Sequence, residues 1–477
     1  MEKIKNEIEL LLKNTEKENE RKASLLTDVC SLLDYAPIGE IWTSAFQNAL
    51  NEHEIVIIPK KDTPYYIDSS VKIPSNRKIL ADKDTTICLC EGTDVLALRN
   101  EKTKDGTHEK ITGEKNENIS IEGGVWKDWC PHRMGYGKSG KYDTSRTFFG
   151  VSTFMLFNNL DRLTLKNMTF VSCGGFAVQL GDISNVVIEN IEFISCYADG
   201  IHVNGNTKNI YIKNVRGEVG DDLVALNMYD WQNSSINFGP CENVICQDLY
   251  LAPSSHYKAM RIEPGIYKYA NGETVDCALY NAIIRHVENI KTFKLYCQTP
   301  PYSPPAKPEW AEVGSGDNIF FEDIKIDLDS PIDPLDEYLN SHEIKGTFAG
   351  FEFGLNAKSV YLKNVDITLH REKYPLSYLA CIGPKSVRFE DGTEVFDPYF
   401  SSTVENLHIE NVTVNGQRPT DISPYVKEIC FDKLYDDIES SGKGKFENII
   451  YKENPGPHIH ENPKAHFHEN PKAHSSL

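Results

Sequence analysis

The sequence predicts an all-β fold, a right-handed parallel β-helix, on three observations. First, one hexapeptide of strand-forming residues recurs: NISIEG (118–123), RLTLKN (162–167), NVVIEN (185–190), NIYIKN (209–214), NVICQD (243–248), NAIIRH (281–286), NIFFED (318–323), SVYLKN (359–364) and NLHIEN (406–411). Second, the steps from Asn167 to Asn190 and from Asn190 to Asn214 are 23 and 24 residues. That is one turn of about three short strands and three bends; longer steps are the same turn plus a loop. Third, most of the hexapeptides end in Asn or Asp. These residues tolerate left-handed backbone, and their side chains can hydrogen-bond from coil to coil as a ladder. Leucine-rich and helical repeats would carry a 3.6-residue apolar period, which these segments lack. A β-sandwich would not repeat one hexapeptide at this spacing.

The flanking regions follow. Ile4, Ile8, Leu11 and Leu12, then Leu25, Leu26, Val29, Leu32 and Leu33, fall near the helical period, so residues 2–35 read as helix. DYAPIG (34–39) is a turn signal, and a short helix is expected from Trp42 to Asn51. Residues 1–52 are thus expected to form a helical segment capping the open end of a solenoid. Residues 53–415 are expected to form the β-helix and 416–456 a C-terminal cap. Residues 457–477, with HENPKAH twice, read as a disordered tail able at most to bind a metal weakly.

Composition narrows the function. The chain is 40% apolar and 25% charged, an ordinary soluble balance, and its apolar runs fall short of the roughly 18 residues that span a bilayer. The start, MEKIKNEIELLLKNTEKENE, lacks the long apolar run of a secretory signal, so a cytoplasmic location is expected. The 12 cysteines are scattered. Cys173, Cys196 and Cys246 fall where strands would bury them, which reads as reduced core cysteine. Cys88 and Cys90 are too close for a zinc half-site, and neither metal nor cofactor is expected. A net charge of −20 argues against nucleic acid and anionic membrane as partners. Oligomeric state is left open.

Stacking locates the chemistry. Residues at equal offsets from the bend share a row, about 4.8 Å apart per coil. Asp199 lies nine residues after Asn190, and Asp221 and Asp222 lie seven and eight after Asn214. Ala198–Asp199–Gly200 and Gly220–Asp221–Asp222 should therefore occupy neighbouring places, with Gly174–Gly175–Phe176 one coil before and the vicinity of His256 one coil after. A single Asp-Gly marks a bend. Three aspartates in register beside a histidine repel one another, so at least one pKa should rise. Glycosidic cleavage needs that split between an acid for the leaving oxygen and a base for water.

The segments YADGIHVNG (197–205) and VGDDLVALN (219–227) resemble the paired signature of glycoside hydrolase family 28, the polygalacturonase family, whose fold is a pectin-lyase-like β-helix. IEGGVWKDW and FMLFNNLDRLTLKNMTF are similar to its upstream style. The likeness in organisation spans about 45–415, and the sharp motifs span 198–227. The resemblance implies inverting, single-displacement hydrolysis of an oligosaccharide. Asp221 would be the general acid and Asp199 and Asp222 the pair that activates water, with acid and base roughly 6.5–9.5 Å apart.

Three departures mark this chain. Tyr197–Ala198 stands where the family has Asn-Thr. The family's Gly-His-Gly is missing, and either His256 (by offset) or Lys258 (by strand alignment) takes its place. Its substrate-binding Arg-Ile-Lys is weakened: RIEPG has Arg261 but then Glu263, while TFKLY offers Lys294 and Tyr296. A neutral or differently acidic sugar thereby enters beside galacturonate. His202 joins the substrate-binding candidates. Aromatic residues that can stack on sugar rings, Trp126, Trp129, Trp231, Tyr302 and Trp310, fall in loops near the motif and suggest a pocket cleaving from chain ends. A lyase or epimerase acting on uronides, with Ca²⁺ or a cation, is the alternative. A non-catalytic carbohydrate-binding β-helix is the third reading.

Overall fold

In the computed structural model the described residues are 2–93, 95–104, 106, 109–129, 153–230, 235–296, 313–330, 348–383, 386–388, 394–396, 401–428, 433–435, 438–439 and 443–453. They form one continuous parallel sheet wound into a solenoid, the expected β-helix. The hexapeptides lie on a single face and pair in unbroken parallel succession from Asn116–Glu122 to Ser402–Val414. Inward residues stack in like-on-like rows. Ile121, Leu165, Ile188, Ile212, Cys246, Ile284, Phe321, Leu362 and Ile409 make one such row, and all are buried. Each contributes about 1.5–3 kcal/mol by burial.

Every hexapeptide ends on left-handed backbone: Gly123, then Asn167, Asn190, Asn214, Asp248, His286, Asp323, Asn364 and Asn411, the latter eight with φ of 52–58°. Asn and Asp reach this region at lower cost than other side chains. Their amides pair between coils, Asn190 Nδ2 donating to Asn167 Oδ1 at 2.9 Å and Asn411 Nδ2 to Asn364 Oδ1 at 2.7 Å. A second ladder runs through the first hexapeptide position. Asn209, Asn243, Asn281 and Asn318 each donate to the asparagine one coil earlier at 2.9–3.1 Å.

Three expectations are corrected. The solenoid starts earlier and ends later than residues 53–415. Val29–Ser31 already pairs with Ile55–Ile58, and Val426–Glu428 and Gly444–Lys452 extend the parallel sheet where a cap was expected. The helical reading of 2–35 holds only for α1, Glu2–Ser24; α2, Thr43–Glu52, forms near the expected place. Finally, α1 does not cover the open end but lies along the flank. The cause is an outward row on the hexapeptide face that is itself apolar: Val187, Tyr211, Ile245, Ile283, Phe320 and Tyr361. Ile8 and Leu12 of α1 bury against it. Ion pairs along its edges fix the register: Lys5 Nζ–Glu322 Oε2 2.6 Å, Arg285 Nη1–Glu9 Oε1 2.6 Å and Lys213 Nζ–Glu16 Oε1 2.8 Å.

The cysteines Cys173, Cys196 and Cys246 are buried, as expected. Among the described residues no helix is long and apolar enough to cross a membrane. The HENPKAH tail lies outside the described residues.

Candidate active site

The site is built on the neighbouring face of the solenoid. Its short strands include Ile201–Val203, Val224–Leu226, Ala259–Ile262, Thr292–Tyr296 and Phe348–Gly354. Alternate residues, such as Val203, Leu226, Ile262, Leu295 and Phe353, point into the core. The residues between them point outward and stack in a row: Gln179, His202, Ala225, Arg261, Lys294 and Glu352. The three aspartates sit where the chain turns into these strands.

Register makes Asp199 and Asp222 direct neighbours, since Gly200 N–H donates to the Asp222 carbonyl at 2.9 Å. Asp221 falls one place earlier, opposite Ala198. All three are at most 3% exposed. One oxygen from each lies within 4.8 Å of the others. The expected 6.5–9.5 Å gap of an inverting pair is therefore not what the nearest oxygens present.

Electrostatics separates the three. Burial, reinforced by the charges of Asp221 and Asp199, pushes the Asp222 carboxyl well above its ordinary range. The direction holds even though Arg261 N–H donates to its Oδ1 at 2.9 Å, a bond that favours the ionised form. Asp199 faces a cation instead. Its Oδ2 is 2.6 Å from His202 Nδ1, and its Oδ1 accepts from Asp222 N–H at 3.3 Å. The Nε2 of the same imidazole lies 2.9 Å from Asp230 Oδ2. Burial alone would lower the histidine pKa. The bonds to Asp199 and Asp230 outweigh it and raise it to about 10, so the ring is an imidazolium.

His202, expected to bind substrate, stands in the row beside the aspartates. Both its nitrogens are engaged, Phe176 stacks on its ring at 3.7 Å, and it is 1% exposed. It positions Asp199. His256 is exposed, and the register gives its alternative, Lys258, the place beside Asp222. The side chain that reaches the site there is Tyr257, whose hydroxyl lies 3.2 Å from Arg261 Nε. Burial pushes this phenol well above its ordinary pKa.

Arg261 and Lys294 are adjacent in register, as expected, and each faces an acid. Arg261 Nη1 is 3.9 Å from Glu263 Oε1 and its Nε is 4.0 Å from Asp222 Oδ2. Lys294 Nζ is 4.0 Å from Glu352 Oε2. Of the expected aromatic walls, Trp126 is core: it is fully buried, with Nε1 donating to the Gly123 carbonyl at 3.0 Å. Trp129 is exposed, with Lys127 over its ring at 3.8 Å. Trp231, Tyr302 and Trp310 lie outside the described residues.

Sequence reading missed Asp230, Tyr257, Glu352 and the amide chain that braces the histidine. In that chain Thr153 Oγ1 donates to Gln179 Oε1 and Gln179 Nε2 to Asn204 Oδ1, each at 2.8 Å. Glu352 had a legible signal: FKL and FEF share an in-out-in alternation that places Lys294 and Glu352 in one outward row. Asp230 had none, because it reaches the site from a loop without register.

No family model matches the chain. No curated protein matches it either. In fold it is similar to the Yersinia enterocolitica family 28 exopolygalacturonase, at 12% identity over 83% of this chain and 76% of that one, TM-score 0.40. It is similar also to the catalytic unit of a thermostable GH87 alpha-1,3-glucanase from Streptomyces thermodiastaticus, at 14% identity over 89% and 68%, TM-score 0.44. A third is the Streptococcus pneumoniae surface adhesin PfbA, at 12% identity over 89% and 99%, TM-score 0.36. Two of these are glycoside hydrolases and one is an adhesin. At this distance the likeness assigns no activity.

Three oxygens within 4.8 Å could also seat a divalent cation. Arg261 stands beside the same trio, its Nε 4.0 Å from Asp222 Oδ2.

Proposed function

We propose that this protein is a glycoside hydrolase that cleaves O-glycosidic bonds of oligosaccharides with Asp199, Asp221 and Asp222. One observation carries the reading: three buried carboxylates on adjacent coils, one with its pKa pushed up by burial and its neighbours and another locked against an imidazolium. That is the unequal set that general acid–base cleavage requires. The family resemblance makes Asp221 the donor to the leaving oxygen and Asp199 with Asp222 the water-activating pair. The raised pKa of Asp222 favours its protonated form in the substrate-free site, so Asp222 acts as base only once the charge is redistributed within the trio. The cytoplasm is the proposed location, on the lack of a secretory signal pattern in the opening residues.

The single-displacement route is the first reading, on the resemblance. The close gathering of the three carboxylates, with one oxygen of each within 4.8 Å of the others, supports a second, in which one carboxylate attacks the anomeric carbon, because the carboxyls of retaining pairs stand closer together, at roughly 5–5.5 Å, than those of inverting pairs. The test is product analysis on a panel of oligosaccharides. The reading expects new reducing ends without an ultraviolet-absorbing double bond, unaffected by chelator and lost in Asp221→Asn. An absorbing product or chelator sensitivity would move the assignment to a lyase. The first-formed anomer, read by proton NMR, separates inversion from retention.

A further inference from the structure

The cation pair beside the aspartates invites an anionic substrate, yet its surroundings work against one. Lys294 is 3% exposed and Glu352 4%, side by side on adjacent coils. Glu263 is 1% exposed and faces Arg261. Counted as charges, Arg261 and Lys294 are matched by Glu263 and Glu352 before any aspartate is included. A sugar carboxylate entering here would meet buried acids as closely as cations, and like charge in a dry site is strongly unfavourable.

Asn227 is an independent observation. It is 3% exposed, and its Oδ1 has no hydrogen-bond donor. It follows Leu226, which points into the core, so its side chain faces outward between the rows of Asn204 and Glu263. A buried amide oxygen without a donor is costly unless a ligand supplies one. The groups gathered here are acceptors, the Glu263 and Glu352 carboxylates and the Asn227 carbonyl, and their complement is a hydroxyl.

We propose that the subsite beside the catalytic aspartates takes a neutral, polyhydroxylated sugar ring, with Asn227, Glu263 and Glu352 accepting its hydroxyls, and rejects a uronate. The inference uses the hydrolase reading to locate the subsite and adds the substrate class. Arg261 and Lys294 stand 3.9 and 4.0 Å from the two glutamates and aim them, and Glu352 is the specificity-determining group that faces Lys294.

The experiment uses matched pairs: digalactosides and diglucosides of each linkage, each with its uronate counterpart, digalacturonate or diglucuronate. Members of a pair differ only in a CH₂OH or carboxylate at C6. Binding is measured calorimetrically to full-length Asp221→Asn, and turnover with the wild type. The expected result is at least tenfold tighter binding of a neutral member than of its partner. Glu352→Gln, which frees Lys294, should move the ratio at least tenfold toward the uronate. Equal or tighter uronate binding by the otherwise wild-type subsite overturns the inference, whether or not the uronate is hydrolysed. Neutral binding without wild-type turnover upholds the subsite and removes the hydrolase reading. No binding of any pair at millimolar concentration overturns both. Should Glu352→Gln fail to fold, the matched-pair ratio still decides.

Discussion

The same coils carry two ladders of polar side chains, and the two behave oppositely. On the hexapeptide edge Asn167, Asn190 and Asn214 stack, each amide donating to the previous one. Over these coils the ladder is neutral, and further along the same column Asp248 and Asp323 are held by His286 between them. At the start of the site strands Asp199 and Asp222 stack at the same spacing, with Asp221 alongside. Carboxylates have no protons to share down a column, so this ladder is frustrated: it stops after two coils, pushes the Asp222 pKa up and recruits His202 and Arg261. Identical geometry gives structure where the side chain is an amide and chemistry where it is an acid.

The contrast can be broken from either side. Asp199→Asn, Asp221→Asn and Asp222→Asn should each lower kcat by ~10²–10⁴-fold, whereas Asn190→Ala should leave kcat unchanged; steady-state kinetics on the panel substrate checks both. Leu12→Ala should weaken the docking of α1 by about 2–5 kcal/mol. It should appear as faster amide exchange in residues 2–24, with the solenoid core unaltered. Asn190→Ala removes two rungs and leaves alanine in left-handed backbone, and should lower urea stability by about 1–3 kcal/mol. Asn190→Gly, which tolerates that backbone, should lose less. The smallest effect is a pH slope. The raised pKa of His202, about 10, stabilises the fold fully below the ordinary 6.5, and this stabilisation is lost as pH rises through 10. Melting temperature should therefore fall from pH 7 to 10, and more steeply than in His202→Gln.

The legible part of the molecule is the part that repeats. The hexapeptide gave the fold, the bend and the three aspartates because period and offset are properties of the sequence. The flank on which α1 sits was also written there, in Tyr211, Ile245, Ile283 and Phe320, mid-hexapeptide positions too apolar for an exposed face. It went unread because alternation was judged within each strand and not along the column. The first strand, Val29–Ser31, was hidden because it is short and lacks the terminal asparagine. Asp230 and Tyr257 were illegible for another reason: the one comes from a loop, and the other is the neighbour of a more conspicuous histidine, separated from it only by which way each side chain points.

The most direct test of the frustrated ladder is the thermal stability of Asp222→Asn against wild type at pH 8, measured beside its activity. Asn can still accept the Arg261 N–H but carries no charge to bury. In wild type the raised Asp222 pKa works against the fold as pH rises above the ordinary 3.8. The expected result is a variant that is inactive and melts about 1–3 °C higher. A variant that melts lower, or that retains activity, would contradict the claim that this row is held under repulsion for the sake of its chemistry.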